Sequence, residues 1–171
     1  IMAGLRAALR AEIRNNYRIA VIMAKVNHLL WESTEPNRFA TAVYGVLDLR
    51  RRRFTYSNAG HNPPMLLRRD GSVERLRAGG LILGPFPDSR YEEGQVDLAP
   101  GDVLVFYTDG VTEAMSPEGE LFGAARMGQL VRERGGEPAA GICAAIEAAV
   151  RAHARVETLG DDLTLVVLRV L

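Results

Sequence analysis

Two acidic positions lie next to apolar runs, and carboxylates in such positions can bind metal ions or act as catalytic acids. Asp109 comes two residues after the apolar run 103–107, and turn residues lie on both sides of that run. This pattern predicts a buried strand with Asp109 at its tip, where rigid backbone holds a carboxylate that still reaches solvent. Gly110 follows, and a glycine lets a ligand or a neighbouring backbone approach closely. The alternative is that Asp109 and Gly110 form only a hairpin turn.

The second acidic position is the pair Asp161 and Asp162, immediately before the apolar residues 163–171. Residues 163–171 are apolar on both faces, which predicts a central strand covered on both sides. Because antiparallel neighbours bring the end of one strand beside the start of the next, we expect these carboxylates and Asp109 to meet at one sheet edge. Carboxylate oxygens suit a hard cation such as Mg²⁺ or Mn²⁺. The alternative is that Asp161 or Asp162 only caps or turns the chain.

Other reactive residue types give weaker signals. Ser57 and His61 lie in one motif, but no strained nucleophile elbow surrounds the serine, so we expect His61 to shape a loop. His28 and His153 lie on helical patterns and are expected to be packed core or boundary residues. Cys143, among alanines, is expected to be an inert small apolar residue.

Composition excludes several classes of function. The 171 residues are enough for one domain with a sizeable core, and 47% apolar with 25% charged residues is ordinary for a globular protein. Lys plus Arg and Asp plus Glu balance at 21 each, so no overall field steers the chain toward nucleic acid. No apolar run is long enough to insert into a membrane. A single cysteine favours a reducing compartment, and we expect a cytoplasmic protein.

Periodicity predicts the elements that must position these residues. Apolar residues at helical spacing predict an amphipathic helix from Ile1 to Ile13 and a second from Ile19 to about Trp31, together a helical hairpin. Further helices are expected at 124–134 and from Pro138 onward. Strand patterns occupy 39–49, 54–59, 65–69, 72–76, 91–98 and 103–107, and we expect them to pair consecutively as three antiparallel hairpins. Residues 79–85 read as a glycine-rich loop. The order of elements predicts an α+β fold with helices on the sheet faces.

Four motifs occur in a fixed order along the chain. They are FAT with YGVLD in residues 39–48, YSNAGHNPP in 56–64, YTDGVTEA in 107–114 and DDLTLVVLR in 161–169. Together they resemble the bacterial sporulation-E-like (SpoIIE-like, RsbU-like) branch of the PPM-type metal-dependent serine/threonine phosphatases. The resemblance covers essentially the whole chain.

The resemblance implies a fold, a reaction and a site. The implied fold is an α+β sandwich of two antiparallel sheets flanked by α-helices, with two Mn²⁺ or Mg²⁺ ions at one end. The implied reaction is hydrolysis of phosphoserine or phosphothreonine by a metal-activated water. Asp109 and Asp161 match the metal-binding, catalytic aspartates, while Gly110 permits close packing at the metal and Asp162 supports Asp161 from outside the coordination sphere. The implied substrate is a phosphorylated partner protein, often a STAS-type anti-sigma-factor antagonist.

One departure from the family pattern affects these expectations. The family places a further Asp-Gly pair, which bridges both metals, just upstream of the helix that here begins at Ile1. We therefore expect residues 1–171 to be a PPM-type domain lacking its N-terminal segment, and to be inactive alone. We also expect that its N-terminal helices could form a homodimer interface. The alternative is a catalytically inactive, phosphatase-like binding or regulatory module.

Overall fold

The computed structural model describes residues 2–15, 18–35, 37–155 and 162–171. The chain divides into two compact units, Ile1–His61 with Arg77–Asp97, and Asn62–Leu76 with Leu98–Leu171. Each unit has helices and a four-stranded sheet, which confirms the predicted α+β class. In chain order the elements are α1 (Met2–Ile13), α2 (Ile19–Ser33), β1 (Ala42–Asp48), β2 (Arg53–Ala59), β3 (Met65–Leu67), β4 (Val73–Arg75), β5 (Gly79–Gly80), β6 (Gly94–Asp97), β7 (Val103–Tyr107), α3 (Asp109–Thr112), α4 (Gly123–Arg134), α5 (Ala139–Ala154) and β8 (Leu165–Arg169).

The first unit begins with the predicted helical hairpin. Helix α1 packs on α2, and α2 packs on the strands β1 and β2. Leu5 of α1 and Val26 of α2 are buried in one apolar cluster, as their helical spacing predicts. No helix among the described residues is long and apolar enough to cross a membrane.

Strand β2 is the centre of the first unit's sheet. It pairs antiparallel with β1 and β6, and parallel with β5. Gly79 and Gly80 of β5 were expected in a loop, but they pair with Asn58 and Ala59. A Cβ atom on Gly79 would collide with the backbone of Asn58, so only glycine permits this pairing.

The expectation that residues 91–98 pair with 103–107 is wrong. Strand β6 pairs instead with β2, and the carboxylate of Asp97 accepts a 2.7 Å hydrogen bond from the guanidinium of Arg53 at the end of that pair. Strand β7 belongs to the second unit, where it pairs with β3 and β8. A short turn between two strands predicts a hairpin only when both strands belong to one sheet, and the turn after β6 instead connects two sheets.

The second unit's sheet has the order β4-β3-β7-β8 and is antiparallel throughout. The hairpin between β3 and β4 turns at Asp70 and Gly71 as predicted, with a φ of 86° at Gly71. Helices α4 and α5 contribute to one core with the sheet. Its fully buried members include Met65, Val103, Val105, Val111, Met127, Val131, Ile142, Ile146 and Val150.

The prediction that residues 163–171 form a central, doubly covered strand is wrong for the described part of the chain. There β8 pairs only with β7 and is an edge strand. Leu165 and Val167 pack against the core, whereas Val166 and Leu168 are 48% and 39% exposed. Successive side chains of a strand point to opposite faces. One face of β8 therefore packs on the core, and the apolar side chains of the other face remain partly exposed.

A buried carboxylate fastens the turn that leads into β7. Asp102 is only 1% exposed. It accepts hydrogen bonds from the guanidinium of Arg68 at 3.0 Å and from the backbone N–H groups of Arg69 and Ala99 at 3.2 and 3.0 Å. Its own carbonyl accepts the N–H of Val170 at 2.9 Å. Asp102 therefore joins the β3–β4 hairpin, the turn before β7 and the end of the chain.

Candidate active site

Strand β7 fixes the position of Asp109. Val103 and Val105 are fully buried and Tyr107 nearly so, which makes β7 a rigid support. Asp109 comes two residues after the strand ends and is exposed to solvent, as the sequence predicts. The alternative of a simple hairpin turn is wrong, because Asp109 and Gly110 begin the single helical turn α3.

The Asp109 carboxylate is held by its own helical turn. One oxygen, Oδ1, accepts the N–H of Gly110 at 3.0 Å. The backbone carbonyl of Asp109 accepts the N–H of Glu113 at 2.7 Å, which closes the turn. The second carboxylate oxygen accepts no hydrogen bond from any of the described residues. Asp109 therefore presents an oriented, solvent-facing acceptor to a ligand.

Thr108 joins this turn to the second acidic motif. Its N–H donates to the carbonyl of Thr164 at 3.2 Å, and its hydroxyl accepts the N–H of Thr164 at 3.0 Å. The same hydroxyl donates to the carbonyl of Asp162 at 3.2 Å. The chain just before β8 is thus fastened beside Asp109. Thr108 stands inside the YTDGVTEA motif, but this role of its side chain was not predicted from the sequence.

Gly110 allows the two motifs to approach. A Cβ atom on Gly110 would collide with the carbonyl oxygen of Asp162 and lie 3.0 Å from its carbonyl carbon. The close approach expected at Gly110 therefore exists, and the group that approaches it is the backbone of Asp162. The backbone of Gly110 is helical, so the position requires glycine for its lack of a side chain.

Replacing Gly110 by alanine should destabilise the second unit by about 1–3 kcal/mol, since the added methyl group meets backbone that has no rotamer with which to move aside. Gly128 is the matched control. It is also a helical glycine of this unit, in α4, but a Cβ there would meet only the sulfur of Met65 at 3.9 Å.

Gly128→Ala should therefore be neutral or stabilise by about 0.5–1 kcal/mol. Urea denaturation of the two variants measures both effects. Equal midpoints for Gly110→Ala and the unmodified protein would show that the Asp162 backbone can move away without cost.

The structure describes three of the four predicted site residues. Asp109, Gly110 and Asp162 lie together at one end of β7 and β8, and the side chain of Asp162 is exposed. Asp161 lies outside the described residues. Within the described ranges no group of three or more His, Cys, Asp or Glu side chains could hold a metal ion. The assignment of Asp109 and Asp161 as metal ligands stays a prediction.

The histidines occupy different environments. His61 shapes a loop as expected: its N–H and carbonyl both bond to the side chain of Asn58, and its Nδ1 lies 3.0 Å from the hydroxyl of Thr41. His153 is a half-buried boundary residue. The prediction for His28 is wrong, because its side chain is exposed on the outer face of α2 beside Glu32.

Solved structures identify the class of fold. The SiaA-PP2C domain of Pseudomonas aeruginosa matches with a TM-score of 0.83 and 22% identity, over 96% of this chain and 67% of that chain. The Mn-presoaked phosphatase domain of SpoIIE from Bacillus subtilis matches with a TM-score of 0.66 and 21% identity, over 95% of this chain and 70% of that chain. At these identities the likeness concerns the fold, which is that of the PP2C-type phosphatases.

Sequence comparison then identifies the family. The family model described as Stage II sporulation protein E (SpoIIE) matches residues 1–171, and the chain belongs to this family. Phosphoserine phosphatase RsbU of Bacillus subtilis is 31% identical over 101 residues, which cover 58% of this chain and 30% of RsbU. The matched segments cover 16% to 30% of the length of three curated relatives, so the chain spans less than a third of each.

Proposed function

We propose that residues 1–171 belong to one PPM-type phosphatase domain that removes phosphate from a serine or threonine side chain of a partner protein. One observation carries the proposal. In a chain of the SpoIIE family, the exposed carboxylate of Asp109 stands at the end of a buried strand, with the Asp162 backbone fastened beside it. Catalytic groups on rigid elements keep the precise geometry that hydrolysis requires.

The residues at this end of β7 are suited to divalent cations. Carboxylate oxygens that face solvent are the donors that Mg²⁺ and Mn²⁺ prefer, and Asp109 supplies one. We propose Asp109 and Asp161 as metal ligands, with Gly110 and Asp162 supporting them. Two bound ions would supply an activated water and neutralise charge on the phosphoryl group. Thr108 would hold the two motifs at a constant separation.

The proposed partner is a phosphorylated STAS-type anti-sigma-factor antagonist in cytoplasmic bacterial signalling. The relative RsbU is a phosphoserine phosphatase by name, and this supports the proposed phosphoserine specificity. Self-association through the N-terminal helices α1 and α2 is a further proposal, and it is supported by the large apolar side chains that they leave exposed, among them Met2, Ile13 and Trp31.

Phosphate release from a phosphoserine peptide by the complete natural protein tests the proposed function. Hydrolysis should require Mn²⁺ or Mg²⁺, stop when EDTA removes the metal and resume when the metal is restored. Binding of Mn²⁺ by calorimetry should occur under the same conditions. A complete protein that binds neither metal and releases no phosphate would instead favour a phosphatase-shaped binding module.

A further inference from the structure

The ten residues between α3 and α4 close into a hairpin, residues 114–122, instead of forming an open loop. Met115 pairs with Leu121 across it, and the N–H of Phe122 donates to the carbonyl of Ala114 at 2.8 Å. The turn contains Gly119, with a φ of 84° that favours glycine. A connection of this length needs no such closure merely to join two helices.

Side chains within the hairpin and just after α5 hold its tip. The hydroxyl of Ser116 accepts the N–H groups of Glu118 and Glu120, both at 3.2 Å. A side-chain hydrogen bond with Ser116 lowers the pKa of Glu118, whose carboxylate also accepts a 2.6 Å hydrogen bond from Arg155 just after α5. The tip is thus ordered, and the Glu118 charge is paired.

The base of the hairpin is fastened to α4 and α5. The guanidinium of Arg126 donates to the carbonyl of Leu121 at 2.9 Å and to the carboxylate of Glu120 at 3.0 Å. The Nε2 atom of His153 lies 2.8 Å from the carbonyl of Glu120. A surface element held at so many points loses little conformational freedom when a partner binds it.

Two large apolar side chains are nevertheless left in water. Met115 is 57% exposed and Leu121 is 49% exposed. Residues paired directly across two strands point to the same face, so the two side chains form one apolar pair. Phe122, the next residue, is buried in the core of the unit, and its burial does not require Met115 or Leu121 to be exposed. The internal packing of the hairpin therefore does not explain the pair.

Only a short segment of chain separates the hairpin from the candidate active site. Met115 is six residues after Asp109, so the two lie at most about 20 Å apart even in an extended chain. Residues 109–112 form the compact turn α3, which shortens this distance. A small phosphate ester could reach Asp109 without touching the hairpin, whereas a folded protein carrying a phosphoserine there would cover the surface around it.

On the basis of the proposed phosphatase function, we propose that Met115 and Leu121 form a docking surface for the phosphoprotein substrate. Rigid apolar side chains that become buried are typical anchors of protein interfaces. The hairpin acids Glu118 and Glu120 are paired with the cations Arg155 and Arg126, so these two carboxylates add no unpaired negative charge beside an anionic phosphoprotein. The hairpin thus offers apolar contact, with the charges of its own two acids balanced.

The double variant Met115→Ser/Leu121→Ser tests the docking surface in the complete natural protein. With a serine-phosphorylated STAS-type anti-sigma-factor antagonist as substrate, kcat/KM should fall by about tenfold or more, mainly through KM. Hydrolysis of p-nitrophenyl phosphate should stay within about twofold of the unmodified enzyme. The melting temperature should stay within about 2 °C, since both side chains are on the surface.

Leu171→Ser is the matched control. Leu171 is 93% exposed and follows the end of β8 that pairs with Val103, at the opposite end of the strand from Asp162. This variant should leave both substrates unaffected. An unmodified enzyme that hydrolyses neither substrate would overturn the phosphatase function itself.

Two other results would overturn only the docking surface. One is that the unmodified enzyme cleaves p-nitrophenyl phosphate, but its preference for the phosphoprotein over this small substrate is no greater than that of the double variant. The other is equal loss on both substrates, because that would place the two side chains in the folding or chemistry of the site and not in recognition of the protein.

Discussion

Asp102→Ala should destabilise the protein by roughly 2–4 kcal/mol, because a buried carboxylate that accepts three hydrogen bonds is removed, while Arg68 keeps its other partner, Glu74. Asp102 is almost fully buried, and its carboxylate accepts three hydrogen bonds, one of them from the Arg68 guanidinium. Without the carboxylate, Arg68 loses its buried partner and the N–H groups of Arg69 and Ala99 lose their acceptor. Urea denaturation should show a lower midpoint of unfolding.

Asp97→Ala is the control for this prediction. Asp97 also pairs with an arginine, Arg53, at 2.7 Å, but both side chains of that pair are exposed to solvent. Exposed ion pairs contribute about 1 kcal/mol or less. If the two alanine variants lost the same stability, the three hydrogen bonds of Asp102 would contribute no more than a surface charge pair, contrary to the geometry.

Local patterns predicted the elements that carry the candidate site. The boundaries of β7 follow directly from its apolar run between turn residues, and they place Asp109 just beyond the strand. Helix α4 begins and ends within a residue or two of the expected positions, and α5 begins where expected, because Gly135 marks the end of α4 and Pro138 the start of α5. These signals are local, so a single sequence contains them.

Pairing between distant segments was harder to predict. Strand β6 joins β2 through the register of Asp97 with Arg53, 44 residues apart, and no local signal favours this partner over the nearby β7. Strand β8 has the composition of a central strand, but its place at the sheet edge depends on which segments pair with it. The parallel contact of Gly79 with Asn58 likewise depends on tertiary structure.

The residue types at the candidate site could be recognised in the sequence, whereas the contacts that support them could not. An acidic residue after a buried strand is visible in the sequence, and so is the glycine after it. The role of Thr108 could not be predicted, because a hydroxyl that bonds to Asp162 and Thr164 is indistinguishable in the sequence from any exposed threonine. Its position opposite the start of β8 becomes apparent only from the register of β7 with β8.

Asp109→Asn should lower phosphatase activity of the complete natural protein by about a hundredfold or more while leaving its fold intact. The asparagine oxygen can still accept the N–H of Gly110, and the side chain is exposed, so little packing is lost. The substitution does remove the negative charge proposed to hold a divalent cation. Phosphate release from a phosphoserine peptide, Mn²⁺ binding by calorimetry and the melting temperature should be measured on the same preparation.

Glu113→Gln separates loss of the Asp109 charge from loss of any acid in this segment. Glu113 is an exposed carboxylate at the end of α3, and only its backbone N–H contacts Asp109, so the substitution leaves that hydrogen bond unchanged. It should keep activity within about twofold. Asp109→Asn should instead lose Mn²⁺ affinity and turnover together, since one carboxylate is proposed to serve both. Near-normal manganese-dependent turnover by Asp109→Asn would refute the assignment of Asp109 as a metal ligand.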